Sequence, residues 1–332
     1  MKIGKLQWKD LNKIINENRG ITRSDVRISG GIGEDCSVVN FGEYECVLST
    51  DPITAAENNV GKLAVHINAN DIASCGVEPI GILVTILAPI NVKLEEIESV
   101  MSEIDTETRK LNMQILGGHT EVTDAVNRII VSCTVIGRTE AGMAISTSGA
   151  KEGDEIVITK HLCLEGTSIL VNDHYNEVIK TLSYEEVEEA KKYIDNLSVV
   201  KEGKIAGEFG ANSMHDITEG GILGALWEVA EGSNVGFKLY NDRLPITDIT
   251  KKVCRLFNID PLKFISSGSM VITCKEGDKL VEKLKENGVQ AAVVGEIIKS
   301  DKILVIEGKE ELVPPPEEDE LLKVSSNENK ER

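Results

Sequence analysis

The chain has 332 residues and carries 36 Lys and Arg against 55 Asp and Glu, a formal net charge of −19. That length exceeds what one hydrophobic core usually serves and predicts two domains with a cleft between them. The acidity, with no Lys/Arg cluster to offset it, argues against nucleic acid or an anionic membrane as partner.

The N-terminus Met1-Lys2-Ile3-Gly4-Lys5-Leu6 lacks an apolar signal core, and the longest apolar run, Pro79 to Ile90, is too short to span a bilayer. Seven scattered cysteines, with no CxxC pair, indicate neither a disulfide framework nor a zinc ribbon. A cytoplasmic protein with reduced thiols is expected.

Gly30-Gly31-Ile32-Gly33-Glu34-Asp35 would let the backbone approach phosphates while Asp35 reaches a metal. It is neither a Walker A loop nor a dinucleotide-binding fingerprint, and a Gly-rich surface turn is its plain alternative. Cys46 to Thr50 reads as a strand that stops at Asp51-Pro52, with Asp51 at its C-terminal end. From Val60, apolar residues recur at three- and four-residue steps, so a helix runs from about Asn59 towards Cys75 and stops at Gly76 and Pro79. Asn68, Asp71 and Cys75 share one face of it. An unpaired Asp71 in so apolar a helix would be costly, so it is either paired or committed to metal or phosphate work.

Ile80 to Leu87 is a buried strand, Lys93 to Leu111 an amphipathic helix, and Gln114 to Leu116 a strand leading into a Gly117-Gly118-His119-Thr120-Glu121 turn. His119 is the candidate acid/base there, although a lone histidine is more often structural. Arg128 to Gly137 forms the next strand, and the first domain ends near Thr147. Gly149 to Asp154 has the turn residues of a boundary, and Glu155 to Thr159 opens the second unit. Ser183 to Glu186 has capping-box spacing, so a helix begins there and runs towards Asp195.

Asp216-Ile217-Thr218 precedes a helix over Glu219 to Glu231, whose Gly220 and Gly221 leave N-terminal NH groups open to an anion. His215 and Met214 read as core. Strands at 269–273, 292–298 and 303–306 and a helix at 278–286 complete the second domain, giving an α/β chain of two units, 1–147 and 148–312. Residues 313–332, Pro-rich and then polar, are expected to be disordered.

Taken in order, GGIGEDC, STDPI, NDIASCGVEP, GGHTEV and MHDITEGG resemble the aminoimidazole ribonucleotide synthetase superfamily, over roughly residues 1 to 310. The opening Lys2 to Leu6, Asn70-Asp71 and the Gly-Gly pair after Thr218 look most like its hydrogenase maturation branch. The resemblance implies a PurM-like α/β fold, a homodimer sharing a barrel between N-terminal domains, and ATP bound with Mg2+ in the cleft. It implies Asp35, Asp51, Asp71 and Asp216 as metal or phosphate ligands, with Asp71 also catalytic. Gly31, Gly33, Asn70, Gly117, Gly118, Thr120, Thr218, Gly220 and Gly221 would line the nucleotide.

Two departures shape the expected reaction. The maturation enzyme carries its substrate thiol on a C-terminal cysteine, whereas here the last cysteine is Cys274, so self-modification at the tail is not expected. Glu219 also stands where that branch commonly has arginine. Selenophosphate synthesis is disfavoured because no cysteine precedes Cys36 near the N-terminal lysines. The expectation is γ-phosphate activation of an amide-like or carboxamide oxygen, with hydrogenase maturation proteins as candidate partners. A kinase resembling thiamine-monophosphate kinase and a non-catalytic maturation scaffold are the alternatives.

Overall fold

In a computed structural model, residues 6, 8–31, 33–54, 56, 58–316 and 318–324 are described. The opening Lys2–Lys5, Ile32 of the glycine loop and the terminal stretch 325–332 lie outside them. The first half comprises α1 (Trp8–Glu17), β1 (Val26–Ile28), β2 (Ser37–Asn40), β3 (Tyr44–Ile53), α2 (Val60–Ser74), β4 (Pro79–Pro89), α3 (Leu94–Lys110), β5 (Gln114–Thr123) and β6 (Ile130–Glu140). The second comprises β7 (Glu155–Thr159), α4 (Leu164–Asp173), α5 (Tyr175–Val178), α6 (Tyr184–Lys191), α7 (Val200–Phe209), β8 (Ser213–Asp216), α8 (Gly221–Ser233), β9 (Gly236–Tyr240), α9 (Asp248–Phe257), β10 (Met270–Cys274), α10 (Gly277–Glu286), β11 (Ala291–Ile298), β12 (Lys302–Ile306) and β13 (Lys309–Leu312).

Among the described residues the strands form two sheets, one in the order β1-β2-β3-β6-β4-β5 and the other β13-β12-β9-β11-β7-β10-β8. This is a mixed α/β fold with a sheet in each half. Val47, Ile82, Ile86, Val131, Cys133 and Val135 from the first sheet pack against Leu63, Ala64, Ala69 and Ile72 of α2. The capping box at Ser183 and Glu186 is present, and it starts α6 as its spacing predicts.

α2 is the seam between the halves. The Asn70 amide donates to the Leu197 carbonyl (2.8 Å) and its oxygen accepts from Val199 N–H (2.9 Å). Gly203 of α7 comes so close that a Cβ there would lie 2.2 Å from the Ala73 carbonyl oxygen.

Four expectations are corrected. β3 does not stop at Asp51: it runs to Ile53, with Pro52 opposite Ser132 of β6. β2 pairs only as far as Leu48, so the edge where Pro52 would need an N–H is already free. Gly117 and Gly118 are not in a turn but in β5, paired in parallel with Leu83 and Val84. A Cβ at Gly118 would meet the Val84 carbonyl oxygen at 1.8 Å, so strand packing alone demands glycine there. The helix expected from Glu219 begins at Gly221, capped by Gly220. Finally, 320–324 are helical and Leu321 and Val324 pack on the second core, so this part of the expected disordered tail is docked.

Candidate metal and phosphate site

Asp35 lies in the short connection between β1 and β2, and the residue before it fixes that connection. Glu34 accepts from the hydroxyls of Ser146 and Ser148 (2.5 Å each) and from the N–H groups of Ser148 (3.2 Å) and Thr147 (3.3 Å). Gly33, at φ +68°, lets the loop press on α8, since a Cβ there would lie 2.8 Å from that of Glu228. Gly33 thus serves packing. At Gly30 the space is open, and at Gly31 a Cβ would make only ordinary contacts, leaving this stretch of backbone free to face a ligand.

Asp51 projects from the late part of β3, where its N–H donates to Asn68 Oδ1 (2.8 Å) and its carbonyl accepts from Asn68 Nδ2 (3.3 Å). Asp71 stands one turn further along α2, buried, and accepts a short hydrogen bond from the Ser49 hydroxyl. Asp216 closes β8 from the other half, and is buried with His215. Burial first, and then the charges of Asp216, Asp35 and Asp51, push the Asp71 carboxyl well above the usual range. Asp35, Asp51 and Asp216, each from a different element, are thus near enough to Asp71 for their charges to act on it.

His215 binds this cluster together. Its Nε2 lies 2.7 Å from Glu228 Oε2, and its Nδ1 lies 2.9 Å from Asp35 Oδ2 and 3.7 Å from Asp216 Oδ1. Burial raises the Asp35 carboxyl to about 7 against the pull of His215. Burial works to lower the His215 imidazole, but Asp35, Asp216 and Glu228 outweigh it and hold it well above its ordinary value. Asp35 Oδ2, His215 Nδ1 and Asp216 Oδ2 are buried with no hydrogen-bond partner, and ligand atoms of the three residues lie within 4.8 Å of one another. Buried, converging, acceptor-type atoms of this kind fit a divalent cation, which would neutralise their charge and satisfy their lone pairs.

Other expected residues stand elsewhere. Asn70 is fully buried, and its amide donates to Leu197 and accepts from Val199, so it holds the halves together. His119 and Thr120 are exposed on β5, three strands from β3, and His119 Nε2 sits 3.0 Å from Glu121. Gly220 donates its N–H to Asp319 Oδ2 (2.7 Å), so the docked tail supplies the anion at the start of α8. Gly221, at φ +61°, packs on the backbone of Leu262 and Phe264. Thr218 is half-buried, and its carbonyl accepts from Gly221 N–H (3.2 Å).

Sequence reasoning missed Glu34, Ser49, Glu228 and the role of His215. A histidine beside an aspartate in a wholly buried four-residue strand was a usable signal. Glu228 gave none, because only the packing of α8 on β8 brings it to the imidazole.

Comparison with known proteins places these features in context. Residues 33–139 match the AIR synthase related protein, N-terminal domain, and residues 151–308 the C-terminal domain of the same family. A hydrogenase expression/formation protein of Methanocaldococcus jannaschii is 30% identical over 317 residues, covering 92% of this chain and 91% of that one. Carbamoyl dehydratase HypE of Bradyrhizobium diazoefficiens is 25% identical over 280 residues, 81% of this chain and 79% of its own. Among solved structures, a HypE–HypF complex matches at TM-score 0.76 and 21% identity, over 92% of this chain and 99% of that one. The hydrogenase maturation protein HypE in complex with ATP matches at 0.69 and 19%, over 94% and 92%. These structural likenesses establish the fold.

Proposed function

The chain belongs to the AIR synthase related protein family, and on that premise we propose that it is an ATP-using, divalent-metal-dependent enzyme of the hydrogenase-maturation type. In this reading the γ-phosphate activates an amide-like or carboxamide oxygen, such as that of a thiol-borne carbamoyl group. The observation that carries it is the meeting of Asp35 and Asp216, from the two halves, in a group of buried and unpartnered acceptor atoms within 4.8 Å of one another, with the charges of Asp35, Asp51 and Asp216 reaching Asp71 and the open Gly30-Gly31 backbone preceding Asp35. A bound cation would neutralise the polyphosphate among these acids; the chain's own part is to hold the acid-bearing segments in place through Glu34, Asn68 and Ser49.

Relatives named for carbamoyl dehydratase and hydrogenase formation support this choice of reaction, and the solved HypE–ATP complex supports the nucleotide. A HypF-like protein is the candidate thiol-pathway partner, by likeness to the solved complex. A homodimer through β5 is part of the same reading: β5 is an edge strand, and Leu83, Leu116 and Val122 are exposed along it and its neighbour. No helix among the described residues is long and apolar enough to cross a membrane, and we assign the enzyme to the cytoplasm.

The test is ATP turnover with Mg2+ and a peptide thiocarbamate whose carbamoyl oxygen is 18O. Phosphoryl transfer to that oxygen followed by loss of phosphate leaves a thiocyanate, ADP and inorganic phosphate carrying the label. Asp71→Asn should reduce turnover by more than the roughly 10–100-fold that losing an outer-shell partner of a metal ligand costs. Unlabelled phosphate, or a stable phosphorylated product, would reject the dehydratase reading, the latter in favour of a kinase.

A further inference from the structure

We propose that His215 is itself a metal ligand, through Nδ1, which makes this a mixed nitrogen–oxygen site for a first-row divalent ion that accepts imidazole, and not a carboxylate-only magnesium site. This ligand set rests on the metal-binding part of the reading above and does not depend on the reaction assigned to it.

The outer nitrogen sets the tautomer. Nε2 faces Glu228 Oε2 at 2.7 Å, so Nε2 carries the proton and donates it to the carboxylate. With a cation in place of the Nδ1 proton, the neutral ring would offer its lone pair at Nδ1. That nitrogen lies 2.9 Å from Asp35 Oδ2 and 3.7 Å from Asp216 Oδ1. Three acceptor groups cannot face one another in a buried space without something positive among them, because each would lose its hydration and gain no donor.

The spacing suits a metal. An ion about 2.1 Å from each donor sets neighbouring octahedral ligands roughly 3 Å apart. The Nδ1 to Asp35 separation matches that edge. Glu228, on Nε2, is the orienting carboxylate that metal-bound histidines characteristically have; it fixes the tautomer and the ring plane. His215 is 3% exposed and Asp216 2%, so neither ligand has to be drawn out of solvent before it can bind. Imidazole raises affinity for ions such as Mn2+, Co2+ and Zn2+ relative to Mg2+, which prefers an all-oxygen shell.

The competing occupant is a proton on Nδ1, which would make His215 a cationic partner of Asp35. Electron spin-echo measurements on Mn2+ bound to the full-length protein, with no nucleotide present, separate the two. The expected result is one tightly bound Mn2+ with a 14N coupling from directly coordinated imidazole. Titration should give an affinity for Mn2+ that falls at least tenfold in His215→Gln, while Mg2+ affinity falls less than threefold. Glu228→Gln should weaken Mn2+ binding by roughly 10–100-fold through the loss of the orienting partner. Bound Mn2+ without nitrogen coupling would overturn the proposal in favour of carboxylates alone. No Mn2+ binding at all would overturn it in favour of the proton. The wild-type spectrum decides between these outcomes even if the variants fold poorly, and because it needs neither ATP nor turnover, its result stands apart from that of the ATP-dependent reading.

Discussion

α2 and α3 lie side by side, yet they obey different rules. α3 is amphipathic: Val100 and Ile104 are buried, Glu95 and Glu96 sit in its first turn, Arg109 and Lys110 in its last, and Glu107 is the one charged side chain it buries, against α2. α2 is buried at fourteen of its fifteen positions, because the first sheet covers one side and α3, α7 and β8 cover the others. A polar side chain on the solvent face of α3 is there for solubility and helix-end charge. On α2 the polar side chains are engaged one by one, His66 with Glu107 (3.1 Å), Asn68 with Asp51, Asn70 with Leu197 and Val199, and Asp71 with Ser49. The difference teaches that buried polar groups mark what the fold must hold in register, whereas charges on the solvent face of a half-exposed helix mark nothing.

The sharpest way to break that contrast is Asn70→Ala. It removes a donor and an acceptor at once and leaves the Leu197 carbonyl and Val199 N–H buried and unpaired. Each such orphan costs about 1–3 kcal/mol, so the unfolding free energy should fall by about 2–6 kcal/mol. Denaturant unfolding measures it. A loss within error would mean that water replaces the amide and that α2 tolerates polar loss as well as α3 does.

Asp71→Asn sharpens the comparison in the opposite direction. In the metal-free protein this carboxyl is held above its ordinary value by burial and by Asp216, Asp35 and Asp51. A group raised in the folded state contributes its stability below the ordinary carboxylate range and loses it as pH rises through the raised value. The isosteric amide never ionises. The variant should therefore melt at a higher temperature than the wild type without metal, by a margin that widens from pH 5 to pH 8. Added metal should stabilise the wild type and narrow that margin. A variant less stable at every pH would show that Asp71 acts mainly as the partner of Ser49.

How far the sequence could be read follows the same division. The α2 and α3 boundaries, β7 and the α6 capping box were legible because each rests on local periodicity or on side chain to backbone contacts three residues apart. Asp35, Asp51, Asp71 and Asp216 were legible as acids beside glycines or at element ends. Whether they meet depends on how the two halves pack, which no local signal encodes. Gly118 and Gly221 misled for a related reason, since close backbone approach within the protein selects glycine as strongly as approach to a phosphate does. The tail's composition hid Asp319, Leu321 and Val324, because three residues suffice to dock a short segment once a helix N-terminus and an apolar surface are already built.

The smallest expected effect comes from α3 itself. Arg109 pairs with Asp105 at 2.8 Å, one helical turn away, and both side chains are largely in water. Each holds the other's charged form more firmly: Arg109 is raised and Asp105 lowered, chiefly by the hydrogen bond between them. Water competes for both groups and salt screens them, so a geometry as good as any at the α2 seam is worth little here. Arg109→Ala should leave the melting temperature unchanged within error at physiological salt, although it deletes a salt bridge where Asn70→Ala deletes only an amide. A clear loss in Arg109→Ala would show that α3 is covered in the functional assembly, and the distinction between the two helices would then hold for the isolated chain alone.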